Sequence, residues 1–242
     1  MLELKDLHWA LPDGEVLIDG IDLTIRPGQL TVVTGPNGGG KTSLAKLIAG
    51  LYTPASGQIL LNNEDITAWD ITQRAQAGIA YAFQQPVRFK GLTVRHLMNI
   101  AAGRELAEHE SCAILEKVGL CAREYMNRPI DNHLSGGESK RIEIATVLAR
   151  RASILVFDEP EAGIDLWSFT SLIDTFKALK EDQDGALLVI SHQERILDIA
   201  DTIVVIADGK IRVAGSRETV MPQLQINERK QHCPLGKEVS HE

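Results

Sequence analysis

Two segments of this chain carry residues suited to phosphate chemistry: Lys41 and Thr42, which end Gly35-Pro36-Asn37-Gly38-Gly39-Gly40-Lys41-Thr42, and Asp158 and Glu159, which end Ile154-Leu155-Val156-Phe157. The first fits G-x-x-x-x-G-K-[ST] and directly follows Leu30-Thr31-Val32-Val33-Thr34, a β-branched run that reads as a buried strand. Glycines at 35, 38, 39 and 40 let several backbone N–H groups converge on one anion, which a Cβ would hinder. Lys41 adds a mobile charge for the outer phosphates, and the Thr42 hydroxyl is placed to ligate a magnesium ion. The helix that begins here, through Leu44, Leu47 and Ile48, aims its positive end at the same phosphates. A glycine-rich turn before a surface helix is the plain alternative. It does not account for strand, loop, lysine, hydroxyl and helix all agreeing with one mechanism.

Apolar runs also end at Asp158-Glu159 and at Ser191-His192. In an open parallel sheet the ligand lies beyond the carboxyl ends of the strands, so these polar closures are expected to converge with Thr34-Gly35. Asp158 can hold magnesium through water, and Glu159 is left to orient or deprotonate the attacking water. Two acids capping the next helix would look the same in sequence. His192 suits a γ-phosphate contact, although a lone histidine is often only a satisfied polar residue. Gln84, after Ile79-Ala80-Tyr81-Ala82-Phe83, could sense metal or attacking water, with Gln85 as a neighbouring competitor. Ser135-Gly136-Gly137 opens a helix and reads either as its cap or as a second anion site. The latter makes sense if two chains pair head to tail, each closing the other's site.

These groups need a scaffold, and 242 residues, 44% hydrophobic and 24% charged, suffice for one large α/β core and a smaller subdomain. Polar and apolar residues alternate over about the first 30 positions, with turns at Pro12-Asp13-Gly14 and Pro27-Gly28, predicting an antiparallel layer that Gly57-Gln58-Ile59-Leu60-Leu61 joins. Residues 86–150 turn helical, at Leu92 to Ala102, Ser111 to Val118 and Gly137 to Arg150. Buried parallel strands then return at 154–157, 186–190 and 203–206, with a helix around Leu166 to Leu179. The expected division is a core of residues 1–85 and 151–220, a helical subdomain of 86–150, and a tail of 221–242.

A net charge of −8 disfavours sequence-independent grip on nucleic acid or anionic membrane. No apolar run approaches the roughly 20 residues of a membrane span, and the N-terminus has no signal-peptide pattern, so a cytoplasmic chain is expected. Cys112, Cys121 and Cys233 match no disulfide or metal spacing.

Taken together, these motifs resemble the ATP-binding cassette ATPases over nearly the whole chain, to about Gly215. The resemblance implies a P-loop NTPase fold with a mostly parallel core sheet, an N-terminal antiparallel β layer and an inserted helical subdomain. It also implies Mg-ATP hydrolysis at a head-to-tail dimer interface. Position by position, Gly35 to Thr42 with Ser43 would form the phosphate loop, and Gln84 would be the inter-subdomain glutamine and a metal contact. Leu134 to Glu138 would be the signature that seals the partner's ATP, with Ser135, Gly136 and Gly137 touching it. Asp158 would be the metal aspartate, Glu159 the catalytic glutamate, Asp165 the dimer-contact aspartate and His192 the switch histidine. Two departures stand out. Leu11 replaces the adenine-stacking tyrosine, with Trp9 two residues earlier, and Glu161-Ala162 replaces the usual small hydroxyl pair.

Within the superfamily, Ser135-Gly136-Gly137-Glu138-x-Lys140-Arg141-x-Glu143-Ile144 is similar to the SufC branch, the ATPase of the SUF iron–sulfur cluster assembly system. Phe83-Gln84-x-Pro86-Val87, Ser191-His192-x-x-Arg195-Ile196-Leu197 and the opening Leu4-Lys5-Asp6-Leu7-His8 point the same way, whereas Glu159-Pro160 does not. That resemblance implies a soluble SufB/SufD-type scaffold as partner, with the nascent cluster on the scaffold. The alternative is the cytoplasmic ATP-binding subunit of a membrane transporter, docked on a permease and peripheral to the inner membrane.

Overall fold

The computed structural model describes residues 1–83, 91–131, 133–181 and 185–223. In chain order its first half comprises β1 (Leu2–Ala10), β2 (Val16–Ile25), β3 (Leu30–Thr34), α1 (Lys41–Ala49), β4 (Ser56–Leu61), β5 (Glu64–Asp65), α2 (Ile71–Gln76) and β6 (Ile79–Ala82). The helices α3 (Val94–Ala102), α4 (Glu108–Lys117), α5 (Ala122–Tyr125) and α6 (Gly136–Ala149) follow. The chain then runs through β7 (Ile154–Asp158), α7 (Leu166–Glu181), β8 (Ala186–Ile190), α8 (Glu194–Leu197), β9 (Thr202–Ala207) and β10 (Lys210–Gly215).

Two sheets result: a four-stranded antiparallel one in the order β2-β1-β4-β5 and a six-stranded one in the order β10-β9-β3-β8-β7-β6, parallel except at β10. Strands β3, β7 and β8 are buried at every position, as parallel strands covered on both faces must be. Along β7 the side chains sort by the two-residue period of a strand. Ile154 and Val156 join the core under α1 and the antiparallel sheet, while Leu155 and Phe157 join the core under α7 and the helical block. In β1 that period breaks at Asp6, whose φ is +47, so the register shifts between Leu4 and Leu7 and both leucines face inward.

The order β3-β8-β7 sets three strand ends side by side, at Thr34, Ile190 and Asp158, which is the convergence the sequence predicted. Helix α1 packs Leu44, Leu47 and Ile48 between the two sheets, and full burial of each side chain stabilises by about 1.5–3 kcal/mol. Arg74 caps the far end of this helix. Its guanidinium donates to the carbonyls of Leu47 at 2.5 Å and Ile48 at 3.1 Å, and also to those of Thr67 and Trp69. Burial lowers the Arg74 pKa to about 10, which still leaves it a cation at neutral pH.

Between β6 and β7 the described residues form helices, with one isolated bridge between Thr93 and Pro129. Helix α3 starts at Val94 rather than Leu92 because the Thr93 hydroxyl accepts the His96 N–H. Helix α4 starts three residues before Ser111, where the Glu110 carboxylate reaches back to the Ala107 N–H at 3.1 Å. Helix α6 starts at Gly136, one residue before the position expected. Among the described residues no helix is long and apolar enough to cross a membrane. Cys112 is half-buried and Cys121 exposed, both as free thiols, while Cys233 and most of the tail, from 224 onward, lie outside the described residues.

Candidate functional site

Gly35 leaves β3 with φ +132, and Gly40 enters α1 with φ +103. A Cβ on Gly35 would lie 2.0 Å from the Ile206 carbonyl oxygen, and one on Gly40 would lie 2.2 Å from that of Leu17. The loop is thus wedged between β2 and β9, and only glycine fits at both ends. Gly38, by contrast, faces open space with nothing within 4 Å of a built Cβ. A cavity of about 170 Å³ opens there, lined by Asn37, Gly38 and Gly40 to Ser43 together with Leu17 and Glu159. The Lys41 ammonium donates to the carbonyls of Gly35 and Pro36, both at 2.8 Å. Burial lowers its pKa, and the charges of Glu159 and Asp158 oppose that shift.

Thr42 and Asp158, 116 residues apart in sequence, meet when the Thr42 hydroxyl donates to Asp158 Oδ1 at 3.2 Å. Tyr81 donates to the other oxygen, Oδ2, at 2.9 Å. Burial raises the Asp158 pKa, and the hydrogen bonds from Tyr81 and Thr42 hold it back. Asp158 and the Thr42 hydroxyl are hard oxygen donors at the helix start beside the loop, a set that fits one side of a phosphate-bound magnesium ion.

Glu159 turns the chain with φ +47, a left-handed conformation, and its N–H donates to the Ile190 carbonyl at 3.0 Å. Its carboxylate stands 3.8 Å from His192 Nε2. Burial chiefly, and the Lys41 charge secondarily, lower the His192 pKa, while Glu159 opposes them. The imidazole therefore stays neutral somewhat below the usual range. Next to it the Ser191 hydroxyl donates to Glu161 at 2.5 Å and accepts the Gln193 N–H at 3.0 Å. The replacement residue Glu161 thus fixes the loop that carries His192, and burial pushes its own pKa up.

Lys41, Thr42, Asp158, Glu159 and His192 form one cluster by these contacts and mutual charges. Ser135, Gly136, Gly137 and Asp165 do not line its cavity. Ser135 and Gly136 are exposed at the start of α6, and Asp165 is exposed just before α7. The Ser135 hydroxyl accepts the Glu138 N–H, and Glu138 accepts the Ser135 N–H at 2.7 Å, a reciprocal capping box. Glu138 also accepts from Tyr125 at 2.5 Å and Arg128 at 3.1 Å, and these bonds, Tyr125 first, hold its carboxyl down at about 2. The cap is thus formed within the single chain, and Gly137, which follows the exposed pair, is buried. Gln84 and Gln85 lie outside the described residues. Trp9 stacks on Tyr52, with centroids 4.4 Å apart and planes 8° from parallel, so one face of the indole is covered.

Sequence reasoning missed the roles of Tyr81 and Arg74 and the hold of Lys140 and Glu143 on Phe83, contacts that reach residues 26 to 77 positions away. Only the pair left a trace, as opposite charges three apart on one helix.

Residues 18–162 match the family model described as ABC transporter. The chain is 35% identical over 228 residues to "Uncharacterized ABC transporter ATP-binding protein MJ0035" of Methanocaldococcus jannaschii, covering 91% of this chain and 90% of that protein. It is 32% identical over 231 residues to "Probable ATP-dependent transporter ycf16" of Pyropia yezoensis, covering 89% and 91% of the two. Two Mycoplasma relatives are longer, and the chain spans 47% of each. Among solved structures, "Dimeric structure of a post-hydrolysis state of the ATP-binding cassette MJ0796 bound to ADP and Pi" superposes with a TM-score of 0.79 at 22% identity, covering 90% of this chain and 99% of that one, a likeness of fold. Sequence and fold agree with the loop and its acids: this chain belongs to the ABC transporter family of ATP-binding cassettes and is an ATP hydrolase.

Proposed function

We propose that the chain hydrolyses Mg-ATP at a head-to-tail interface between two cassettes and uses the closure to drive a partner. The contact of Asp158 with Thr42, which itself lines the Gly38 cavity, carries this reading. Lys41 exchanges its two carbonyl partners for phosphate oxygens, and the loop N–H groups cradle the same anion. Thr42 and Asp158, with Gln84, would hold magnesium, which supplies charge neutralisation for the outer phosphates. Glu159 orients the attacking water and accepts its proton, while the neutral His192 ring donates a hydrogen bond to the γ-phosphate. Ser135, Gly136 and Gly137 of the second chain seal the nucleotide, with Asp165 contributing to the dimer contact. The exposure of Ser135 and Gly136 in the single chain supports that arrangement.

The names of the relatives support a membrane transporter as the machine, with this chain as its ATP-binding subunit, cytoplasmic and peripheral to the inner membrane. A second reading, a SufC-like ATPase on a SufB/SufD-type scaffold, is supported by sequence resemblance alone, as in the segment from Ser135 to Ile144. The negative net charge supports neither a nucleic-acid partner nor an anionic surface.

The chemistry is tested with Glu159→Gln, which should bind ATP, scarcely hydrolyse it and accumulate a dimer on size exclusion. Unchanged turnover would remove Glu159 from the mechanism. Recovery of the native chain with a membrane permease, or with a soluble scaffold, decides between the partners.

A further inference from the structure

Strand β6 lies at the edge of the large sheet, beside β7, with Tyr81 paired to Val156 and Ala82 to Phe157. We propose that Tyr81 is a positioning residue for Asp158: its hydroxyl holds Oδ2, so that Oδ1 is presented to Thr42 and to the magnesium ion of the nucleotide. The inference rests on the reading of Asp158 as the metal aspartate.

Each Asp158 oxygen accepts one hydroxyl, Thr42 at 3.2 Å on Oδ1 and Tyr81 at 2.9 Å on Oδ2. A carboxylate held at both oxygens has one orientation, which is what a water-mediated metal ligand requires. Phenylalanine would fill the same space without burying a hydroxyl, so the phenol oxygen needs its acceptor.

The ring is itself held. Phe83 meets it edge-on, with centroids 4.9 Å apart and planes at 83°. Both backbone groups of Phe83 are clamped by α6. Its N–H donates to Glu143 at 2.9 Å, and its carbonyl accepts from the fully buried Lys140, which pairs with Glu143 at 3.0 Å. The helix that opens with Ser135 thus fixes the strand end whose tyrosine fixes Asp158. Tyr81 also lines a groove of about 230 Å³ between β6 and the helical block.

The test uses the full chain and a fluorescent ATP analogue, and reads the factor by which Mg²⁺ tightens binding relative to excess EDTA. Tyr81→Phe should lower that factor about five- to tenfold, the scale of the net contribution of one hydrogen bond, and leave binding in EDTA unchanged. Tyr81→Leu should lose the same factor and also melt earlier, since it lacks the ring. An unchanged factor in Tyr81→Phe would overturn the proposal, as would an equal loss with and without metal, or a loss confined to Tyr81→Leu. Asp158→Asn separates the two levels. If it keeps the magnesium factor, the reading of Asp158 is wrong; if it loses the factor while Tyr81→Phe keeps it, only the role of Tyr81 falls.

Discussion

Replacing Glu138 with glutamine removes one negative charge and almost no volume, and the structure says what that charge does. Its carboxylate accepts from Tyr125, Arg128 and the Ser135 N–H at 2.5, 3.1 and 2.7 Å. Those bonds hold the carboxyl at about 2 instead of the ordinary 4.5. At about 1.4 kcal/mol per pH unit, that gap caps the contribution of the charged form near ~3 kcal/mol. Arg128 is 38% exposed, so solvent screening reduces its share, and about 1–2 kcal/mol is expected for Glu138→Gln. For a chain of this size the melting temperature should fall by about 3–6 °C. The sign with pH follows from the lowered pKa. The stability is fully present above pH 4.5 and drains away as pH falls toward about 2. Urea denaturation of both proteins at pH 7 and at stepwise lower pH reads this directly. Equal midpoints at pH 7, or a difference that persists unchanged in acid, would refute the assignment of the charge to the cap of α6.

Lys41→Ala should lose most nucleotide binding in a fluorescence titration while the fold is retained, because phosphate charge is left uncompensated. Arg74→Ala leaves the carbonyls of Leu47, Ile48, Thr67 and Trp69 without their donor and should cost about 3–5 kcal/mol by chemical denaturation, with Arg74→Lys intermediate. Because the His192 pKa is lowered, the unfolded chain takes up that proton first. Stability should therefore decline slightly as pH drops below 6.5, and this component should be absent in His192→Gln.

The phosphate loop was legible because its logic is local: Leu30 to Thr34, the glycines, Lys41 and α1 are consecutive, and one mechanism demands them all. The inner strands were legible because double-sided burial forces unbroken apolar runs such as Ile154 to Phe157 and Ala186 to Ile190. Short polar elements were not. Helices α2 and α5 and strands β5 and β10 bury little, so no periodicity marks them, and α2 exists largely because Asp70 and Gln73 exchange a capping box. Tyr81 read as one more apolar strand residue, since the acceptor of its hydroxyl comes from a strand 77 positions later. Glu161 read as a departure from a pattern, and its use emerged only when β8 brought Ser191 beside it.

The turn at Glu159 has a cost of its own. A residue with a branched-free but bulky side chain sits at φ +47 immediately before Pro160, a pairing the backbone resists by about 1–3 kcal/mol. Asparagine would sit there more comfortably, so Glu159→Asn should be at least as hardy as the native chain and yet idle. A library of this chain screened for heat resistance alone would drift toward such silent forms, and survival and turnover would have to be scored together.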